Sequence, residues 1–302
     1  MTMRGMLIVS SYSIFIYYKQ KIATSLQIFY ASLIKDMVTV YYGDGNRTGN
    51  QMLMYVTAQL FAKKFGYVFE PEPLYGFALS PDRPQIVTSG FNEPGKPLHT
   101  IPNTGTKRFT EPVIPVHDLN LLELLNKDSI SDARYHFLHW FQIKDYVLQY
   151  RNEIRSMFEI EYKPQPKDQM MVVVRLGDVA HRRQRLPLSY YIEAIELLIK
   201  KGCTGGYITS DSMNHPDVVE LINRYGLKPY YNDVPIEKIN HVKDFDNIVL
   251  SEGTFCWWMG MLSNATNVVC NDRRDRFVWH GDIFVYPEWI KLNHDCPELP
   301  EI

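Results

Sequence analysis

The chain carries no surplus of charge: 32 Lys and Arg stand against 34 Asp and Glu, a formal net charge of −2 at pH 7. Nucleic acid or an anionic membrane surface is captured through a basic face, and the scattered Lys and Arg here supply none. Cysteine is scarce, four residues in 302, and no two form a C-x-x-C pair. Cys203, Cys256, Cys270 and Cys296 therefore read as reduced thiols of an intracellular protein rather than as a disulfide framework. No apolar run reaches the roughly 20 residues needed to span a bilayer. The nearest approach, residues 6–18, is broken by Lys19 and Lys21 before a weaker run over 22–34. There is no internal repeat. What is present is the composition of a packed globular protein, 45% apolar and 22% charged, with length for one large domain or two medium ones. Residues 1–36 read as an extension or weak anchor, with Arg4 ahead of the first apolar run. Membrane association is expected only through them, and a cytoplasmic location otherwise.

The folded part is expected to begin at Met37 with a strand, Val38-Thr39-Val40-Tyr41-Tyr42. Next comes Gly43-Asp44-Gly45-Asn46-Arg47-Thr48-Gly49-Asn50-Gln51, whose glycines and asparagines suit a tight loop with close backbone approach. A helix over 51–65 follows, with Leu53, Val56, Leu60 and Phe61 at helical spacing and Gly66 as its stop. Residues 71–118 read as long loops around short strands. Helices are expected over 119–126 and 131–158, the second aromatic along one side. Tyr162 to Gln169 has two prolines and no apolar periodicity, and reads as the linker between domains 37–165 and 166–302.

Beyond it, apolar strands at 170–174, 207–209, 228–231, 247–250 and 267–270 alternate with helices at 188–200, 216–225, 236–242 and 255–262. Short, wholly apolar strands alternating with helices imply a parallel, doubly wound α/β sheet. In such sheets ligands bind outside the carboxyl ends of strands. Three segments fall there: Arg175-Leu176-Gly177-Asp178 with the nearby His181, then Ser210-Asp211-Ser212, and Ser251-Glu252-Gly253-Thr254. An arginine fork, an aspartate and a helix start bearing hydroxyls together suit a nucleoside diphosphate. The helix start leads into Phe255-Cys256-Trp257-Trp258, where the tryptophans read as packing.

Several of these segments resemble, in order, the motifs of the alpha-1,2-fucosyltransferase family. Gly43 to Gln51 is similar to that family's G-x-x-G-N-Q-x-F opening. Val173-Val174-Arg175-Leu176-Gly177-Asp178 resembles H-x-R-R-G-D, and Ile208-Thr209-Ser210-Asp211 resembles its S-D-D element. Ser251 to Leu262 is similar to S-S-F-S-W-W-A-x-L, and the stretch from Trp279 to Ile290, with Asp282-Ile283-Phe284-Val285-Tyr286-Pro287, resembles D-I-Y-P-x-x-W. The resemblance implies a GT-B-like architecture of two Rossmann-like halves, acceptor on the first and donor on the second. It implies an inverting transfer of L-fucose from GDP-fucose to a glycan hydroxyl, with no tightly bound metal and no cofactor beyond the nucleotide sugar. Arg175 matches the arginine that neutralises the departing β-phosphate, and Ser251 and Thr254 match hydroxyls near the same phosphates. Asp211, with Gly45, Gly49 and Asn50 of the loop, completes the expected donor contacts.

Three positions depart from the family pattern: Val173 replaces its histidine, Leu176 its second arginine, and Ser212 its second aspartate. In related enzymes the histidine and an aspartate of the S-D-D element help hold guanine, so the donor stands open between GDP-fucose and another nucleotide sugar such as UDP-xylose. A non-catalytic relative that binds glycan or nucleotide is the third reading. Asp44, Asp178 and His181 are the candidates for general base. Asp244-Phe245-Asp246 spells D-x-D but precedes a strand rather than following one, so it reads as a helix-end charge pair and no metal is expected.

Overall fold

The computed structural model describes residues 37–40, 48–70, 77–78, 85–86, 113–137, 139–158, 160–177, 185–272 and 283–295. Asp44, Gly45, Asp178, His181, Cys296 and the extension 1–36 lie outside the described residues.

In chain order the first half contains β1 (Met37–Val40), α1 (Thr48–Phe65), β2 (Val68–Glu70), β3 (Phe77–Ala78), β4 (Gln85–Ile86), β5 (Val113–Val116), α2 (Leu121–Leu125), β6 (Arg134–Phe137), α3 (Lys144–Gln149) and α4 (Arg151–Ser156). Four strands form a wholly parallel sheet in the order β2-β1-β6-β5, while β3 and β4 make a separate antiparallel pair. Helix α1 is buried at every position from Met52 to Ala62, as a helix enclosed on all sides must be. Within that stretch the Thr57 hydroxyl donates back to the Leu53 carbonyl at 2.6 Å, so its burial leaves that donor satisfied.

The expected helix over 131–158 is not formed as such. Residues 134–137 instead insert as β6 between β1 and β5, and only 144–156 are helical, in two short pieces. Tyr135 and Phe137 alternate with the half-buried His136, the period-two pattern of a strand, and aromatic residues are strong strand formers. Phe141, at φ 55°, then turns the chain in a conformation no helix can accommodate.

The second half contains β7 (Gln169–Val174), α5 (Leu188–Lys200), β8 (Gly205–Ser210), α6 (Pro216–Tyr225), β9 (Lys228–Pro229), α7 (Pro235–Val242), β10 (Asn247–Val249), α8 (Thr254–Leu262), β11 (Asn267–Asn271) and β12 (Ile290–Leu292). All six strands are parallel and run β12-β11-β10-β7-β8-β9 across the sheet. That is the doubly wound order in which successive strands depart to one side, then return and depart to the other. The expected alternation is reproduced, with β9 shorter than anticipated and β12 added at the edge.

One continuous core joins the halves. Val38, Phe61 and Phe137 of the first belong to the same buried cluster as Ile248, Trp257 and Trp289 of the second. Arg155 donates to the Ser263 carbonyl at 2.8 Å, and the Arg151 guanidinium lies 3.9 Å over the Tyr286 ring. The segment read as a linker is itself anchored: Lys163 N–H donates to Asp244 Oδ1 at 3.1 Å and Gln165 N–H to the Asp244 carbonyl at 3.0 Å.

Candidate functional site

In the second sheet the strand order reverses between β7 and β10, which are neighbours. Their carboxyl ends lead into Arg175 and Ser251, so these two residues stand at the switch point where doubly wound sheets open a crevice. Arg175 N–H donates to Ser251 Oγ at 3.3 Å, and its guanidinium Nη1 donates to the Glu252 carbonyl at 3.2 Å. The guanidinium therefore lies over the turn that opens α8. Gly253 caps that helix at φ 96°, with no side-chain capping bond. A Cβ there would fall 1.9 Å from Arg175 Nη1, so only glycine admits both the backbone angle and the guanidinium.

A second helix start meets the first. At Gly49, the second residue of α1, a Cβ would stand 2.6 Å from the main-chain nitrogen of Phe255, the second residue of α8. Trp258 fastens the contact, donating from Nε1 to the Gly49 carbonyl at 2.9 Å. Trp257 and Trp258 are themselves fully buried, edge to face at 4.8 Å, so they belong to the core. Each helix start carries a positive dipole end and N–H groups without intrahelical partners. Two such ends in contact, beside an arginine, concentrate positive potential where an anion can lie across them. The juxtaposition suits a diphosphate.

Asp211, after β8, shapes the third side. Its Oδ1 accepts from the main-chain N–H groups of Leu176 and Gly177 at 2.8 and 3.0 Å, fixing the loop that carries Arg175. The residue is exposed. Ser251, by contrast, is buried and held at 2.9 Å by the Tyr191 hydroxyl. Its hydroxyl is engaged within the fold, where it supports the Arg175 backbone. Thr254 is the first residue of α8 and is also buried. Asn50 Oδ1 accepts from Gln142 Nε2 at 3.0 Å, tying the start of α1 to the turn after β6.

Lys238 on α7 is a group the strand-end rule does not reach. Burial holds its ammonium below the usual lysine range, while Asp233, Asp211 and Cys256 pull it back up. A cation close enough to feel Asp211 and the first turn of α8 adds positive potential to the crevice. Cys256 itself is inert: burial pushes its thiol up to about 11, with Arg175 as the largest opposing influence. Asp244 pairs with Lys243 at 2.7 Å, and Asp246 accepts from the Thr266 hydroxyl at 2.8 Å, so both D-x-D carboxylates are tied up locally. Among the described residues no cluster of three or more His, Cys, Asp or Glu could hold a metal.

Arg175, Asp211, Ser251, Thr254, Gly49 and Asn50 thus come together around two helix starts, while Asp44, Gly45, Asp178 and His181 fall outside the described residues. No protein-family model matches the chain, and neither curated proteins nor solved structures give a match.

Proposed function

We propose that the chain is a GT-B-type glycosyltransferase that moves a sugar from a nucleoside diphosphate sugar onto a glycan hydroxyl with inversion. The observation that carries this reading is the meeting of the α1 and α8 starts beneath Arg175 at the switch point of a parallel sheet. When the glycosidic bond breaks, negative charge grows on the diphosphate, and fixed N–H dipoles and a guanidinium already aimed there stabilise it without reorganising. Asp211 would accept from the ribose or base at the crevice mouth.

The motif resemblance favours GDP-fucose as donor. One observation favours a second reading with another base, such as the uracil of UDP-xylose. Val173, at the family's histidine position, is 4% exposed and packed into core. An apolar side chain so enclosed offers a guanine edge no hydrogen bonds.

A thermal-shift panel with GDP, UDP, GDP-fucose and UDP-xylose tests both readings. At about 100 times Kd a ligand adds about 2.7 kcal/mol to stability, enough to raise the melting temperature by several degrees. Stabilisation by GDP species supports the fucosyl reading, and stabilisation by UDP species alone replaces it with the second. No response to any of the four overturns the transferase.

A further inference from the structure

The carboxyl edge of the first sheet carries a cluster of its own. His117 and Asp118 follow β5, and His139 and Trp140 follow β6, its parallel neighbour. Asp118 is buried, its side chain 7% exposed, yet His139 beside it is 55% exposed, with Nδ1 3.8 Å from Asp118 Oδ2. Asp118 Oδ1 accepts from the Phe141 N–H at 2.9 Å, and this bond braces the turn in which Phe141 takes its positive φ. A bulky residue held in that conformation stores strain, which persists where surrounding structure fixes it and tends to gather at ligand sites. Trp140, between them, leaves 38% of its surface exposed. The His117 ring stands 5.9 Å from that of His139, so among the described residues His117 and Asp118 are titratable neighbours facing it.

This cluster borders the diphosphate crevice through a short run of contacts. Gln142, one residue past the strained Phe141, donates to Asn50, and Gly49, beside Asn50, abuts the first turn of α8. We propose that His139 is the general base that deprotonates the acceptor hydroxyl, that Asp118 positions it, and that Trp140 is the platform for the acceptor, a pyranose with a free hydroxyl. The inference rests on the transferase reading and adds to it the acceptor subsite.

A proton on Nδ1, facing the Asp118 carboxylate, leaves Nε2 with a lone pair toward solvent. The hydroxyl oxygen bonds to the anomeric carbon of the donor as its proton passes to Nε2. The bond from that carbon to the diphosphate breaks, and the electron pair departs on the β-phosphate oxygen beneath Arg175. The imidazolium then returns its proton to water. Asp118 stabilises the imidazolium as it forms, its Oδ2 standing 3.8 Å from His139 Nδ1. The indole of Trp140 offers a flat apolar face to the C–H side of a sugar ring.

The test compares the unaltered protein with His139→Gln, Asp118→Asn and Trp140→Ala. Nucleotide stabilisation is read by thermal shift. Turnover is read as GDP or UDP released from GDP-fucose or UDP-xylose in the presence of a panel of methyl glycosides. His139→Gln is expected to keep its nucleotide-induced shift, lose about 10²–10⁴-fold in kcat, and lose the acid limb of the pH–rate profile. Asp118→Asn keeps an oxygen to accept from Phe141, so it should retain its melting temperature and still lose kcat with an altered pH profile. Trp140→Ala should raise KM for the glycoside and leave the nucleotide shift unchanged. A His139→Gln variant that keeps more than a tenth of kcat, with the acid limb intact, overturns the base assignment while leaving the donor site standing. An unaltered protein that responds to neither nucleotide overturns the transferase reading and this inference with it.

Discussion

Arg175 leaves a strand whose last five residues are all core and reaches the place where the starts of α1 and α8 meet, its Nη1 held by the Glu252 carbonyl. Lys238 adds charge from α7 at a cost, since burial disfavours its ammonium. The two cations therefore respond differently to removal. Arg175→Ala should leave the far-UV spectrum unchanged and reduce transfer by about 10²–10³-fold, the usual loss when one fixed donor to a developing anion is removed. Lys238→Met should weaken nucleotide binding but raise the melting temperature, because the penalty of a half-buried charge disappears with the charge. Calorimetric binding and melting curves on the two variants check both directions. A Lys238→Met protein that binds nucleotide normally would remove Lys238 from the site.

Helices α1 and α8 meet where neither can retreat, α1 being enclosed by core and α8 anchored by its own buried Trp257 and Trp258. Gly49→Val would drive a side chain into the Phe255 backbone, and overpacking of this kind costs about 1–3 kcal/mol. A lower melting temperature together with loss of the nucleotide shift is expected, and a variant that melts and binds like the parent would contradict the contact. At this scale the sequence is readable where burial imposes a simple pattern. β7, β10 and β11 are buried on both faces and read as largely apolar runs. β6 is misread because its aromatics also fit helical spacing, and only its insertion between β1 and β5 decides the matter. β12, three residues long, has too little sequence to announce itself. The site divides in the same way. Arg175 and Asp211 follow from the strand-end rule. Ser251's engagement by Tyr191, 60 residues away, does not, and neither does the pairing of Asp118 with His139, which depends on β5 lying beside β6.

Across the whole molecule the two parallel sheets share one core, a second packs against the later sheet, and the buried phenols and thiol of both make the fold sensitive to alkali. Burial raises Tyr146, Tyr191 and Tyr286 above the ordinary 10.0, Tyr55 to about 12, and Cys256 from 9.0 to about 11. Unfolded, these groups lose protons near their ordinary values, so between those and the raised values the native state binds more protons than the unfolded chain. The stabilisation is complete below about pH 9 and is lost as pH rises through the folded values. Urea midpoints should fall steadily from about pH 9 upward, and Cys256→Ala should soften the first part of the decline; a flat profile would contradict the burial.

The same architecture commits the diphosphate to one place, and amide hydrogen exchange reads that place directly. The first-turn N–H groups of α8, at Thr254, Phe255 and Cys256, lack intrahelical acceptors, so in the free protein they exchange readily unless a ligand oxygen accepts from them. With saturating GDP or UDP, the account predicts slowed exchange over 253–256 and 175–177. Protection confined to other segments, or none at saturation, would contradict it.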